Sequence, residues 1–146
     1  MAGFALRPLS LTRIADLGLR LLVAAGLAVT AYVHADLAPL YDGVRASVSQ
    51  GALFRLDAAA ASLAALVVLA VGRRTGFGLA LVVAAGSLGA ILLYRYVDVG
   101  QLGPLPNMYE PAWFPEKSVA VVAEAVVTVL AAGGLLREVR KRWCRS

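Results

Sequence analysis

Glu124 is the residue of this chain whose chemistry most needs an explanation. It is the lone charge in the run SVAVVAEAVVTVLAAGGLL, residues 118–136. A carboxylate among such neighbours is costly to hold and requires a cation or a hydrogen-bonding partner, so it marks a functional candidate by default. Four other ionisable side chains stand at the same depth or just above it in neighbouring apolar runs: His34, Arg55, Asp57 and Arg95. We expect Glu124 to face the other helices and to pair with Arg55, Arg95 or His34. Convergence of all five would make a polar cluster inside the protein. Such a cluster is either a buried charge network that fixes helix register or a site for a small polar ligand, a quinone headgroup or a proton.

Other chemistries find less support. His34 is the sole histidine, so a Ser-His-Asp arrangement has no independent signal, and a lone histidine at a helix end reads as an interfacial hydrogen-bonder. No metal-ligand set is assigned. His34 and Met108 would suffice as axial ligands of a haem, and haem and quinone stay open as cofactors, but no motif calls for either. The segment GFGLAL at 76–81 lacks the second half of a dinucleotide fingerprint, and no Walker motif is present. The single cysteine, Cys144, excludes an intrachain disulfide and a CxxC pair.

The elements that must position these residues are apolar helices. The 146 residues are 60% hydrophobic and 16% charged, more apolar surface than a soluble domain of this length can bury. A membrane-spanning helix needs about 20 mostly apolar residues. Four segments qualify, over about 17–34, 52–72, 77–96 and 118–136, followed by a basic tail over 137–146. The predicted fold is all-α: one membrane domain, residues 1–146, built as a transmembrane four-helix bundle. Snorkelling of Arg20 and Arg55 extends the two shorter spans to membrane thickness. A cleaved signal peptide ending near Val33-His34-Ala35 is the rival reading of the first span; it would leave three spans and split the basic clusters.

Charge sets the expected orientation. Arg7, Arg13, Arg20, Arg73, Arg74, Arg137, Arg140, Lys141, Arg142 and Arg145 fall on one side, against Arg45, Arg55, Arg95 and Lys117 on the other. The positive-inside bias puts both termini in the cytoplasm of a cell with this protein in its inner membrane. The net charge of +5 is no sign of nucleic acid, because no basic patch is interleaved with aromatics. The tail REVRKRWCRS could touch anionic headgroups at about 1 kcal/mol per basic residue near the surface.

Two outer connections remain. In ADLAPLYDGVRASVSQG, residues 35–51, the apolar residues Leu37, Leu40, Tyr41, Val44 and Val48 recur at helical spacing, which predicts a short amphipathic helix in the interface. Gly43 weakens it by about 1 kcal/mol. Residues 95–117 contain four prolines that forbid a continuous helix. Tyr109 and Trp113 supply rings suited to headgroup level, and with Glu116 they are expected to cap the bundle as a stiff loop. Within the spans, Gly18, Gly26, Gly78, Gly86, Gly89, Gly133, Gly134 and the run 58–61 offer close helix approach.

The set His34, Leu53-Phe54, Gly103, Pro104, Trp113 and Glu124 resembles that of small four-span membrane proteins of high-GC Gram-positive bacteria, over about residues 20–136. More distantly the chain is similar to DoxX/MauE-like bundles. The second resemblance implies thiol redox work, yet no span here carries a cysteine. Small size, short loops and the lack of a catalytic constellation point first to a non-catalytic subunit or accessory factor, with the lipid bilayer and other membrane subunits as partners. The alternative is a bundle that binds a quinone, lipid or small solute in a polar pocket of its outer half.

Overall fold

The computed structural model describes residues 11–72 and 74–143. Arg7, Arg73, Cys144 and Arg145, used above as topology and redox markers, lie outside the described residues, as does the side chain of Arg142. Four helices make up the structure: α1 (Leu11–Leu37), α2 (Gln50–Ala70), α3 (Arg74–Tyr96) and α4 (Pro115–Trp143). The shortest, with 21 residues, is about 32 Å long. All four are long and apolar enough to cross a membrane.

The helix ends follow from local chemistry. Ser49 caps α2, its Oγ accepting the Ala52 N–H at 3.1 Å. Pro115 begins α4, where its missing N–H costs nothing, and Glu116 in the first turn complements the helix dipole. Gly72 ends the α2 connection with a φ of +51°, a conformation that glycine adopts without penalty, and it lies against the Arg20 guanidinium. Arg20 itself pairs with Asp16 one turn earlier, at 2.6 Å.

Successive helices run antiparallel around a square. α1 packs on α2 and α4, and α3 packs on the same two, leaving α1 and α3 on one diagonal and α2 and α4 on the other. The core is made largely of small side chains. Ala61, Ala64, Ala80, Ala84 and Ala131 are fully buried, with Leu27, Val68, Phe77 and Val127 filling the space between them. Of the glycines expected at helix contacts, Gly26 and Gly134 serve that role: a Cβ at Gly26 would strike Val127, and one at Gly134 would come within 2.7 Å of the Phe77 ring. Gly18, Gly78, Gly86, Gly89 and Gly133 face open space.

The outward faces are apolar too. Leu21, Leu22, Leu63, Leu66, Val82 and Val129 are all exposed, and at most 28% of the most apolar window of any helix is buried. Antiparallel packing gathers Arg13, Arg20, Arg74, Arg137, Arg140 and Lys141 at one end, the basic end. The two long connections form the other, the loop end.

One expectation needs correction. The amphipathic helix over 35–51 is absent: α1 continues to Leu37, a single 3₁₀ turn covers Ala38–Tyr41, and the backbone is irregular from there to Ser49. Gly43 disfavours further helix and the Ser49 cap starts α2 anew; of the apolar residues in the pattern Leu37 packs inward, whereas Leu40 and Val44 are exposed. Within the basic tail, α4 carries on to Trp143, with Lys141 contacting Glu138.

Candidate functional site

Each helix contributes one polar side chain to a single cluster on the bundle axis. His34 comes from the last turn of α1, Asp57 from the second turn of α2, Ser87 from the middle of α3 and Glu124 from α4. Ser87 Oγ lies 2.8 Å from Glu124 Oε1 and 3.2 Å from Asp57 Oδ2. With a single proton, the hydroxyl donates to one carboxylate at a time. His34 Nδ1 is 2.9 Å from the Thr30 carbonyl oxygen and 3.4 Å from Asp57 Oδ2, while Nε2 is 4.0 Å from Glu124 Oε1. A carbonyl can only accept, so Nδ1 carries the proton of that bond and the neutral imidazole keeps a lone pair on Nε2. Phe54 holds the ring from the side, edge-on with centroids 5.3 Å apart.

Burial makes this cluster chemically demanding. Glu124 is 0% exposed, and its Oε2 has no hydrogen-bond partner. The hydroxyl of Thr30, one turn below His34, is also buried and unpartnered. Among the described residues no arginine or lysine pairs with Asp57 or Glu124. Two carboxylates therefore meet on the axis with one imidazole and one hydroxyl.

A cavity of about 270 Å³ leads from the loop end down to this cluster. His34, Asp57 and Ser87 form its floor, and Leu37, Leu53, Phe54 and Ile91 supply apolar walls. Its roof comes from the Pro-rich connection, through Met108, Glu110 and Phe114, with Lys117 at the rim. That connection is firmly tied. Glu110 N–H donates to the Tyr94 carbonyl at 3.0 Å, and the Lys117 ammonium donates to the carbonyls of Glu110 (2.6 Å) and Ala112 (2.9 Å). Asp98 Oδ1 accepts from Gly100 N–H and the Asn107 amide, and Val48 N–H donates to the Pro104 carbonyl, joining the two connections.

Of the five residues expected to converge, three do. His34, Asp57 and Glu124 meet; Arg55 and Arg95 stay away. Arg55 makes a two-pronged pair with Asp42, both contacts at 2.7 Å, and these hydrogen bonds hold the Asp42 carboxyl below the usual carboxylate range. Arg95 lies over the rings of Tyr96 and Trp113, 5.1 and 5.4 Å from their centroids. Of the expected cap residues, Tyr109 and Trp113 are 40% and 45% exposed and Glu116 lines a shallow groove between α1 and α4, so the cavity is roofed by their neighbours instead. His34 is buried, not interfacial, and Met108 lines the same cavity. Ser87 escaped the sequence reading, although it is the only hydroxyl amino acid other than tyrosine between Phe77 and Tyr94.

The arrangement can accept hydrogen bonds, hold a proton between carboxylates, or ligate a cation. His34, Asp57 and Glu124 each offer one ligand atom, all within 4.8 Å of one another. Comparison with family models, with curated proteins and with solved structures finds no match to this chain.

Proposed function

We propose that the chain is a four-span protein of the bacterial cell membrane that binds a small amphipathic molecule in its loop-end cavity. Of the two functions compatible with the sequence, a subunit of a larger assembly and a ligand-binding bundle, the cavity with its polar floor supports the second. Apolar walls suit an apolar body, and the polar groups at the bottom select the head.

The chemistry of the floor narrows the class of head. The Nδ1 proton of His34 is committed to Thr30 and the Ser87 proton to a carboxylate, which leaves mainly acceptors on the floor of the cavity. A head with O–H or N–H donors is satisfied there, whereas a head with acceptors alone leaves the floor unpaired. A quinol fits this description better than a quinone, and an amine-bearing amphiphile fits it as well.

The orientation that goes with this reading has the basic end in the cytoplasm and both termini there. Three of the four cations at the loop end are engaged locally: Arg55 by Asp42, Arg95 by two rings and Lys117 by loop carbonyls. The basic end holds the larger share of positive charge.

Gly86 provides the test. It borders the cavity at an exposed position, and a Cβ placed on it meets nothing within 4 Å, so a larger side chain is added at the open side of the cavity without displacing the helix packing. In lipid nanodiscs the wild-type chain should bind a short-chain naphthoquinol or decylamine, and Gly86→Leu should bind neither while keeping its helix content. Equal binding by the two proteins, or none by the wild type, would sink the proposal.

A further inference from the structure

We infer that His34 Nε2, Asp57 and Glu124 form a binding site for one divalent first-row transition-metal ion, of the Zn²⁺ kind, with the Ser87 hydroxyl beside both carboxylates and hydrogen-bonded to one of them. This inference stands on the axial cluster and does not depend on an organic molecule occupying the cavity above it.

Four observations carry it. The histidine is prepared as a ligand, because its Nδ1 proton is held by the Thr30 carbonyl at 2.9 Å and Nε2 is left with its lone pair toward Glu124. That backbone contact is the usual way a ligating imidazole has its tautomer and orientation set. The three side chains come from three different helices, and each has one candidate ligand atom within 4.8 Å of the others; the imidazole now presents Nδ1 to Asp57 at 3.4 Å and Nε2 to Glu124 at 4.0 Å. Tetrahedral ligands about 2.1 Å from zinc are separated by about 3.4 Å, so the present His34–Glu124 spacing of 4.0 Å closes with a small side-chain rotation.

The third observation is an unmet need. Glu124 is fully buried with Oε2 unpartnered, and among the described residues no arginine or lysine pairs with it or with Asp57. A divalent cation between two carboxylates brings the cluster to zero net charge, which is the condition an apolar interior favours. The fourth is access. The cavity reaches His34 and Asp57 from the loop end, giving the ion a route in and leaving room for an exchangeable ligand.

The donor set also sorts the metals. One imidazole with carboxylates suits zinc, manganese or iron, while magnesium and calcium prefer oxygen alone and the soft monovalent ions prefer sulfur.

The experiment uses the untagged full chain in nanodiscs, stripped with a chelator, re-equilibrated with Zn²⁺ or Mg²⁺, and assayed for metal per chain by mass spectrometry. We expect one zinc per wild-type chain, no retained magnesium, and at least a tenfold loss of zinc affinity in His34→Ala. Cobalt substitution gives a second readout, since a low-symmetry N/O site produces intense visible bands that His34→Ala should abolish. Loss of zinc without loss of helix content in His34→Ala supports the site. Where His34→Ala fails to assemble, Asp57→Asn, at the partly exposed edge of the cluster, takes its place with the same expected loss. A wild-type chain that retains no zinc, or variants that retain as much as the wild type, overturns it. Naphthoquinol binding is measured on the stripped protein, so failure of the cavity reading and failure of the metal site are separately visible.

Discussion

His34 Nε2 and Glu124 Oε1 face each other at 4.0 Å across the α1–α4 interface, both side chains buried. This pair joins the last turn of the first helix to the interior of the last one. It makes Glu124 the residue at which the requirements of assembly and of the site can be separated.

Substitution at Glu124 should divide by charge. Glu124→Gln keeps the size of the side chain and an oxygen for the Ser87 hydroxyl, so the bundle should elute as a single species on fluorescence-detected size exclusion. Glu124→Lys puts a longer, charged side chain at a position with no exposure and takes away the acceptor of the Ser87 hydroxyl, and a buried polar group left unpaired costs about 1–3 kcal/mol. The expected result is aggregation or loss of expression. A monodisperse lysine variant would show that the axis admits water freely.

The glycines should respond according to what stands opposite them. Gly26→Val drives a branched side chain into Val127, and overpacking of this kind destabilises by about 1–3 kcal/mol. Gly89→Ala meets nothing within 4 Å and gains up to about 1 kcal/mol of helix propensity. Thermal melts in one detergent should therefore move in opposite directions.

The Arg55–Asp42 pair should leave a mark on pH dependence. Its hydrogen bonds lower the folded-state pKa of Asp42, so the stabilisation is complete above the ordinary carboxylate value and is lost as pH falls through the lowered one. Melting temperature should fall on acidification in the wild type. Asp42→Asn should flatten that part of the profile, and an unchanged profile would show that the pair contributes nothing measurable.

Orientation can be read by cysteine labelling. A cysteine at Ser47, in the exposed connection between α1 and α2, should react with an impermeant maleimide on intact cells in a Cys144→Ser background. Cys144 itself should react only after the cells are opened. The reverse pattern would invert the topology.

Much of the helical frame was legible because it rests on length and apolar content, both visible in sequence. That Glu124 turns inward followed from the cost of leaving it elsewhere, whereas His34 was one of three candidate partners and its position at a helix end pointed as much to the interface. The two arginines misled because depth along a helix was counted and rotation was not. Arg55 and Asp57 are two positions apart, about 200° around the helix, so only one of them could face the axis. Asp57 does, and Arg55 finds Asp42 outside. Ser87 went unnoticed because an uncharged hydroxyl costs little in any span and so raises no alarm. The irregular backbone before Ser49 was hidden by an apolar spacing that mimics an amphipathic helix, although only its first member, Leu37, is buried and Leu40 and Val44 are exposed.

The one-residue-per-helix construction of the cluster bears on how the protein is made. Spans leave the insertion machinery singly or in pairs, and an acidic residue near the centre of a helix carries an insertion penalty of about 2.5–3.5 kcal/mol. Asp57 and Glu124 are carried by different helices, His34 near the end of a third, and Ser87 on a fourth that is free of acidic residues. No span has to enter lipid bearing more than one member of the cluster. Its chemistry comes into existence only when α4, synthesised after the other three, closes against them.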